Sequence, residues 1–190
     1  MQAKSRAKFN DVMQRMTGLL IGAIFGATFV VVNAQAPLNA VAVNLLRAAA
    51  CLAAASVIGM WFATARRERS AAGPQRNMFS RGYLIVVAAE AILLFGGLRV
   101  LAAWGSPEQA NVAWVALVVG VHFIALAPVW KDWGIAVPGV ALTLLGAGGL
   151  VLALTAAVAW VPFVSGVLSG VVLLIGAVSF GWRAVTTRTA

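Results

Sequence analysis

The sequence predicts an all-α polytopic membrane protein, a compact bundle of six transmembrane helices in a single domain. Of the 190 residues, 62% are hydrophobic and only 10% are charged, whereas a soluble domain carries about 25% charged residues. The apolar residues form six runs, each close to or longer than the roughly 20 residues that cross the hydrocarbon core as a helix. Helices are required there, because lipid offers no hydrogen-bond partner to free backbone groups.

The six predicted spans follow one another with short connections. They cover about residues 16–32, 38–63, 82–104, 111–130, 134–159 and 161–182. Before them, residues 1–15 form a basic segment whose apolar residues continue into span 1 at helical spacing. We expect this segment either to lie as an amphipathic helix on an anionic leaflet or to be a solvated tail. The apolar stripe consists of Phe9, Val12, Met13 and Met16.

The start of the chain also fits a second interpretation, a signal peptide cleaved after Ala34 or Ala36. Two features favour retention of span 1. The apolar run is longer than the usual hydrophobic region of a signal peptide, and Pro37 directly follows the second candidate site. Cleavage would leave five spans with the same orientation.

Charge predicts the orientation. Of the 14 Lys and Arg residues, only Arg47 and Arg99 lie within spans. All the others lie in the N-terminus, the connections after spans 2 and 4, and the C-terminal tail, and the other connections have none. By the positive-inside rule, both termini are expected in the cytoplasm and the protein in a bacterial inner membrane. All seven tryptophans fall near predicted span ends, where an amphipathic ring prefers the headgroup level.

Span 1 contains a doubled GxxxG pattern formed by Gly18, Gly22 and Gly26. Glycines at this spacing share one helix face and allow another backbone to approach closely. The partner is expected to be another span, a second copy of the chain, or a partner membrane protein.

Glu90 in span 3 and His122 in span 4 each lie eight residues from the predicted inner end of their span, about 12 Å deep. Equal depth on consecutive antiparallel helices predicts that the two side chains face each other. Such a pair can hold and pass a proton, or it can be a structural hydrogen bond between helices.

Two arginines lie in the outer half of the membrane. Arg47 shares a helix face with Asn44 in span 2, and Arg99 lies nine residues after Glu90, on the opposite side of span 3. The two arginines are expected either to bind an anionic solute or lipid headgroup, or to be satisfied by helix-end carbonyls and water. Polar groups on two sides of span 3 favour a central position for that helix.

Several classes of function are disfavoured. The net charge of +9 lies outside the apolar runs, so it indicates membrane orientation and not nucleic-acid binding. One His and one Cys (Cys51) cannot build a zinc cluster or a disulfide framework. Ser165-Gly166 and Ser169-Gly170 do not match the intramembrane serine protease motif. We therefore expect no enzyme activity, no metal and no cofactor.

The stretch Gly120-Val121-His122-Phe123-Ile124-Ala125-Leu126-Ala127 resembles a G-x-H-F-x-x-L-A pattern in small, uncharacterised bacterial membrane proteins with six spans. The resemblance covers one span and implies no activity. Size, span count and the small-residue face of span 1 are also similar to substrate-binding subunits of vitamin-uptake transporters, whose loops and substrate motifs are absent.

Two functional hypotheses result. The first is transport or permeation of a small solute, ion or proton along a polar path in spans 2–4. The second is a non-catalytic membrane module that binds a partner protein or lipid through the glycine face of span 1. They differ in whether one wet cavity joins the polar residues of these spans. Those residues are Asn44, Arg47, Glu90, Arg99 and His122.

Overall fold

The computed structural model describes the backbone of residues 2–68 and 81–186, and the side chains from residue 16 onwards within those ranges except residues 67, 68 and 184. The described residues are helical and contain no strand, as predicted. The six long helices are α1 (Gln2–Asn33), α2 (Ala40–Glu68), α3 (Arg81–Ala103), α4 (Gln109–Trp130), α5 (Ala136–Ala153) and α6 (Leu168–Thr186).

Six helical segments are long and apolar enough to cross a membrane. This confirms the predicted number of spans. The bounds of α3 and α4 agree with the predicted spans 3 and 4 within two residues at each end. A short 3-10 turn, Trp133–Ile135, precedes α5, and a π-helix, Pro162–Val167, leads directly into α6.

The prediction of span 5 was wrong at its C-terminal end, since α5 stops at Ala153. The next residues turn back, and the Thr155 hydroxyl holds the turn by donating to the Leu152 carbonyl and accepting from the Ala157 amide. Hydropathy could not locate this turn, because residues 150–164 are apolar except for Thr155.

The backbone of the N-terminal basic segment continues into span 1 without a break. The backbone of α1 is one helix of 32 residues, about 48 Å long at 1.5 Å per residue, which exceeds the roughly 30 Å of the hydrocarbon core. No Gly or Pro interrupts residues 2–17, so nothing in the sequence breaks the helix before span 1. The apolar stripe predicted there lies outside the described side chains.

The centre of the bundle is α6 with its π-helix. Helix α6 packs against α1, α2 and α5, and the π-helix also contacts α4. Helix α3 packs against α4 at the edge of the bundle and has no buried residue. The expectation that span 3 is central was therefore wrong. Small residues explain why the segment from Pro162 to Thr186 is central. Gly166 and Gly170 let other helices pack closely against it.

The glycines of span 1 divide into two groups. Gly26 packs on α6, where an added Cβ would lie 2.8 Å from the Gly170 carbonyl oxygen, and Gly170 in turn contacts the Gly26 carbonyl. An added Cβ on Gly18 or Gly22 would meet nothing within 4 Å. The predicted glycine contact thus forms within the chain at Gly26 alone, and the other two glycines leave an open face.

Candidate functional site

Helix α3 is attached to α4 by a series of side-chain contacts. Towards the start of α3, the rings of Tyr83 and Trp130 stack with centroids 6.1 Å apart and planes 12° from parallel. Further along, the Trp114 indole N–H donates to the Leu93 carbonyl at 3.1 Å. The same indole lies directly over Gly97, where any Cβ would overlap the ring. These contacts set the rotation and the register of α3 against α4.

Trp114 therefore differs from the predicted role of the tryptophans. Its sequence position, near the start of α4, suggested a ring at the membrane interface. In the structure, its N–H bonds to a backbone carbonyl and its ring fills the space left by Gly97. Trp104, by contrast, follows the last residue of α3 and is 79% exposed.

The contact between Glu90 and His122 lies within this line of contacts between α3 and α4, called here the α3–α4 seam. His122 Nδ1 and Glu90 Oε2 are 2.9 Å apart, so the predicted pairing is present. Within the described residues, this short contact does not have the geometry of an aligned hydrogen bond at Nδ1. Glu90 is nine residues from the start of α3 and His122 eight residues from the end of α4, which places both about 12–13 Å along their helices.

The pair is not sealed inside the bundle. The side chains of His122 and Glu90 are 14% and 24% exposed. A carboxylate and an imidazole at this depth are costly unless paired. Their contact lowers this cost.

Arg47 has a structural partner. Its Nη2 donates to the Ala34 carbonyl at 2.9 Å, just after the end of α1, while its Nε is buried without a hydrogen-bond partner. This is the helix-end carbonyl arrangement that the sequence left open. Asn44 is exposed near the start of α2.

Arg99 is different from Arg47. It is exposed and forms no hydrogen bond or ion pair with any residue that the structure describes. It lies away from α4, on the side of α3 opposite Glu90, as the nine-residue spacing predicted. Glu90 pairs with His122 instead.

The five polar residues do not line one path through a single chain. Helix α2, with Asn44 and Arg47, packs against α1 and α6, and α3 packs against α4. The described residues form no substantial contact between α2 and either α3 or α4. The prediction of one polar path through spans 2–4 was therefore wrong, because α6 and its π-helix lie between α2 and the pair formed by α3 and α4.

Sequence reasoning missed the polar residues at the bundle centre. Ser165 and Ser169 are fully buried. The Ser165 hydroxyl donates to the Leu145 carbonyl at 2.9 Å, whereas the Ser169 hydroxyl has no partner in the described chain. Asn33 packs on Gly166 and donates to the Phe29 carbonyl. The four-residue spacing of the Ser-Gly pairs was the available signal, since it places small residues on one helix face.

No group of three or more His, Cys, Asp or Glu residues comes together in the described ranges, and Cys51 is exposed. The chain matches no family model, no curated protein and no solved structure.

Proposed function

We propose that the chain is a multi-pass protein of a bacterial inner membrane with both termini in the cytoplasm, and that the Glu90–His122 pair is a proton-binding site used in the transport of a proton, ion or small solute. The observation that carries this proposal is the 2.9 Å contact between two partly exposed ionisable side chains, deep within helices long and apolar enough to span a membrane. Intramembrane pairs of this kind commonly mark proton or ion pathways.

The proton path lies between α3 and α4 alone, and not across spans 2–4 as the sequence predicted. Since α2 does not join α3 and α4, the proton reaches the pair along the α3–α4 seam. The Glu90 carboxylate is the more exposed member and exchanges with the outside of the bundle, and the His122 ring receives the proton across the contact.

Topology is tested first. Reporter fusions after Ser106, in the connection between α3 and α4, and after Ala190 should give external and cytoplasmic signals respectively. An external signal from the fusion at Ala190 would contradict the six-span orientation.

Proton movement is tested in liposomes that contain a pH-sensitive dye and the purified protein, under an imposed membrane potential. The wild-type protein should acidify or alkalise the lumen faster than protein-free vesicles, and Glu90→Gln should reduce the rate to that of the vesicles. Glu108→Gln is the matched control, because Glu108 is exposed between α3 and α4. Equal rates for the wild type and Glu90→Gln would contradict the proton role.

A second candidate, a non-catalytic module that associates through span 1, is supported by the open face at Gly18 and Gly22. A glycine face without a partner inside the chain suits close approach of another helix. Gly22→Leu should then lower self-association or partner binding, measured by native mass spectrometry, without changing the fold. Unchanged assembly would remove this candidate.

A further inference from the structure

Arg99 stands in unusual surroundings for a cation. By the helical rise, it lies about 6 Å from Ala103, the last residue of α3. A charged side chain at such a depth normally pairs or faces water, yet Arg99 has no partner in the described part of the chain. An anion from outside the chain would supply the missing partner.

The face around Arg99 has the shape of a lipid contact. One turn and two turns before Arg99 lie Phe95 and Ile92, which are 66% and 73% exposed. Gly96 lies one turn after Ile92 and three residues before Arg99, and it leaves a notch, since an added Cβ there would meet no described atom within 4 Å. Bulky apolar side chains flanking a notch suit a flexible acyl chain, whereas close helix packing favours a face of small residues.

A second copy of the chain offers no unpaired carboxylate at the depth of Arg99. Of the five acidic residues, Glu90 alone lies within a span, and it pairs with His122. The phosphate of a phospholipid on the α3–α4 connection side of the membrane is available at the required depth, because an arginine can draw headgroups inwards by thinning the bilayer locally. Guanidinium and phosphate also form strong, two-pronged hydrogen bonds.

We propose that the outward face of α3 is a phospholipid-binding site, in which Arg99 holds the phosphate and the notch at Gly96 seats an acyl chain. The site is separate from the Glu90–His122 pair, which lies on the other side of the same helix.

The test counts phospholipids retained by the purified protein in native mass spectrometry after titration with phosphatidylglycerol in detergent. Arg99→Gln should weaken binding of the tightest lipid about tenfold, the loss expected for a charge-assisted hydrogen bond. Arg99→Lys should fall between the two, because it keeps the charge and loses the planar fork. Arg66→Gln is the matched control, since Arg66 is exposed near the opposite side of the membrane.

A second pair of variants tests the notch with the charge intact. Gly96→Leu should also weaken lipid binding, whereas Gly148→Leu should not, although both glycines have open space around them. Inorganic phosphate alone should not compete, because it lacks the acyl chain. Equal lipid binding by the wild type and Arg99→Gln would overturn the proposal. So would a loss of an oligomer or a bound protein in Arg99→Gln with lipid retention unchanged.

Discussion

The contact between α1 and α6 and the contact between α3 and α4 hold helices together in different ways. In the first, Gly26 and Gly170 bring the two backbones together, and buried side chains such as Val30 and Leu174 pack around them. In the second, aromatic and ionisable side chains reach across from a helix with no buried residue. The first builds the core, and the second attaches an edge helix while leaving its ionisable groups accessible.

This difference explains where function can reside. A contact between glycine backbones tolerates no gap, so nothing can enter between α1 and α6. In the contact made through side chains, Glu90 and His122 remain partly exposed, and the far side of α3 carries no buried residue. The proposed functions of the molecule therefore belong to its edge and not to its core.

The largest expected effect is at the core contact. Gly26→Leu should destabilise the protein by about 3 kcal/mol or more, because its side chain would collide with the Gly170 backbone and with Leu173 and Leu174. Gly22→Leu, one helical turn earlier in open space, should leave unfolding unchanged within about 0.5 kcal/mol. Unfolding in detergent, followed by circular dichroism, compares the two. Equal losses would mean that α1 does not pack on α6 through Gly26.

At the edge contact, two adjacent glycines give the next comparison. Gly97→Ala should destabilise by about 1–3 kcal/mol, because its Cβ would displace the Trp114 ring and break the bond to the Leu93 carbonyl. Gly96→Ala meets open space and should stabilise by up to about 1 kcal/mol through helix propensity. Tryptophan fluorescence and the unfolding midpoint report the difference. A stabilising Gly97→Ala would show that Trp114 is not seated there.

The sequence predicts a contact well when the property behind it is local, and poorly when the contact depends on packing between helices that are distant in sequence. Hydropathy and charge act residue by residue, so the span number and most helix ends could be predicted. Glu90 and His122 could be paired because a short connection joins two neighbouring helices at matched depth. The neighbours of α3 and α6 could not be predicted, since they depend on how Gly166 and Gly170 fit helices distant in sequence. The end of α5 depends on one threonine in an apolar run.

The third comparison concerns the ionisable pair within the edge contact. Glu90→Gln and His122→Ala should each destabilise by about 1–2 kcal/mol, because each change removes the partner of the other polar side chain. The double variant should lose less than the sum, with a coupling of about 0.5–2 kcal/mol. A double-variant cycle in detergent measures the coupling. Strict additivity would show that the two groups do not interact in the membrane protein as purified.

The smallest expected effect separates two serines at the bundle centre. Ser165 and Ser169 are both fully buried, and they lie four residues apart on the helix that begins at Pro162. Ser165→Ala removes the hydrogen bond to the Leu145 carbonyl and should cost about 1 kcal/mol. Ser169→Ala removes a hydroxyl that has no partner in the described chain, so it should be neutral or stabilise by up to about 1 kcal/mol. Serine-to-alanine substitution is thus expected to lower the stability at Ser165 but not at Ser169, although the two side chains are equally buried. Thermal unfolding in detergent can resolve this difference. A loss at Ser169 as large as at Ser165 would indicate that an ordered water bonds to its hydroxyl, because a buried polar atom of that kind is normally satisfied.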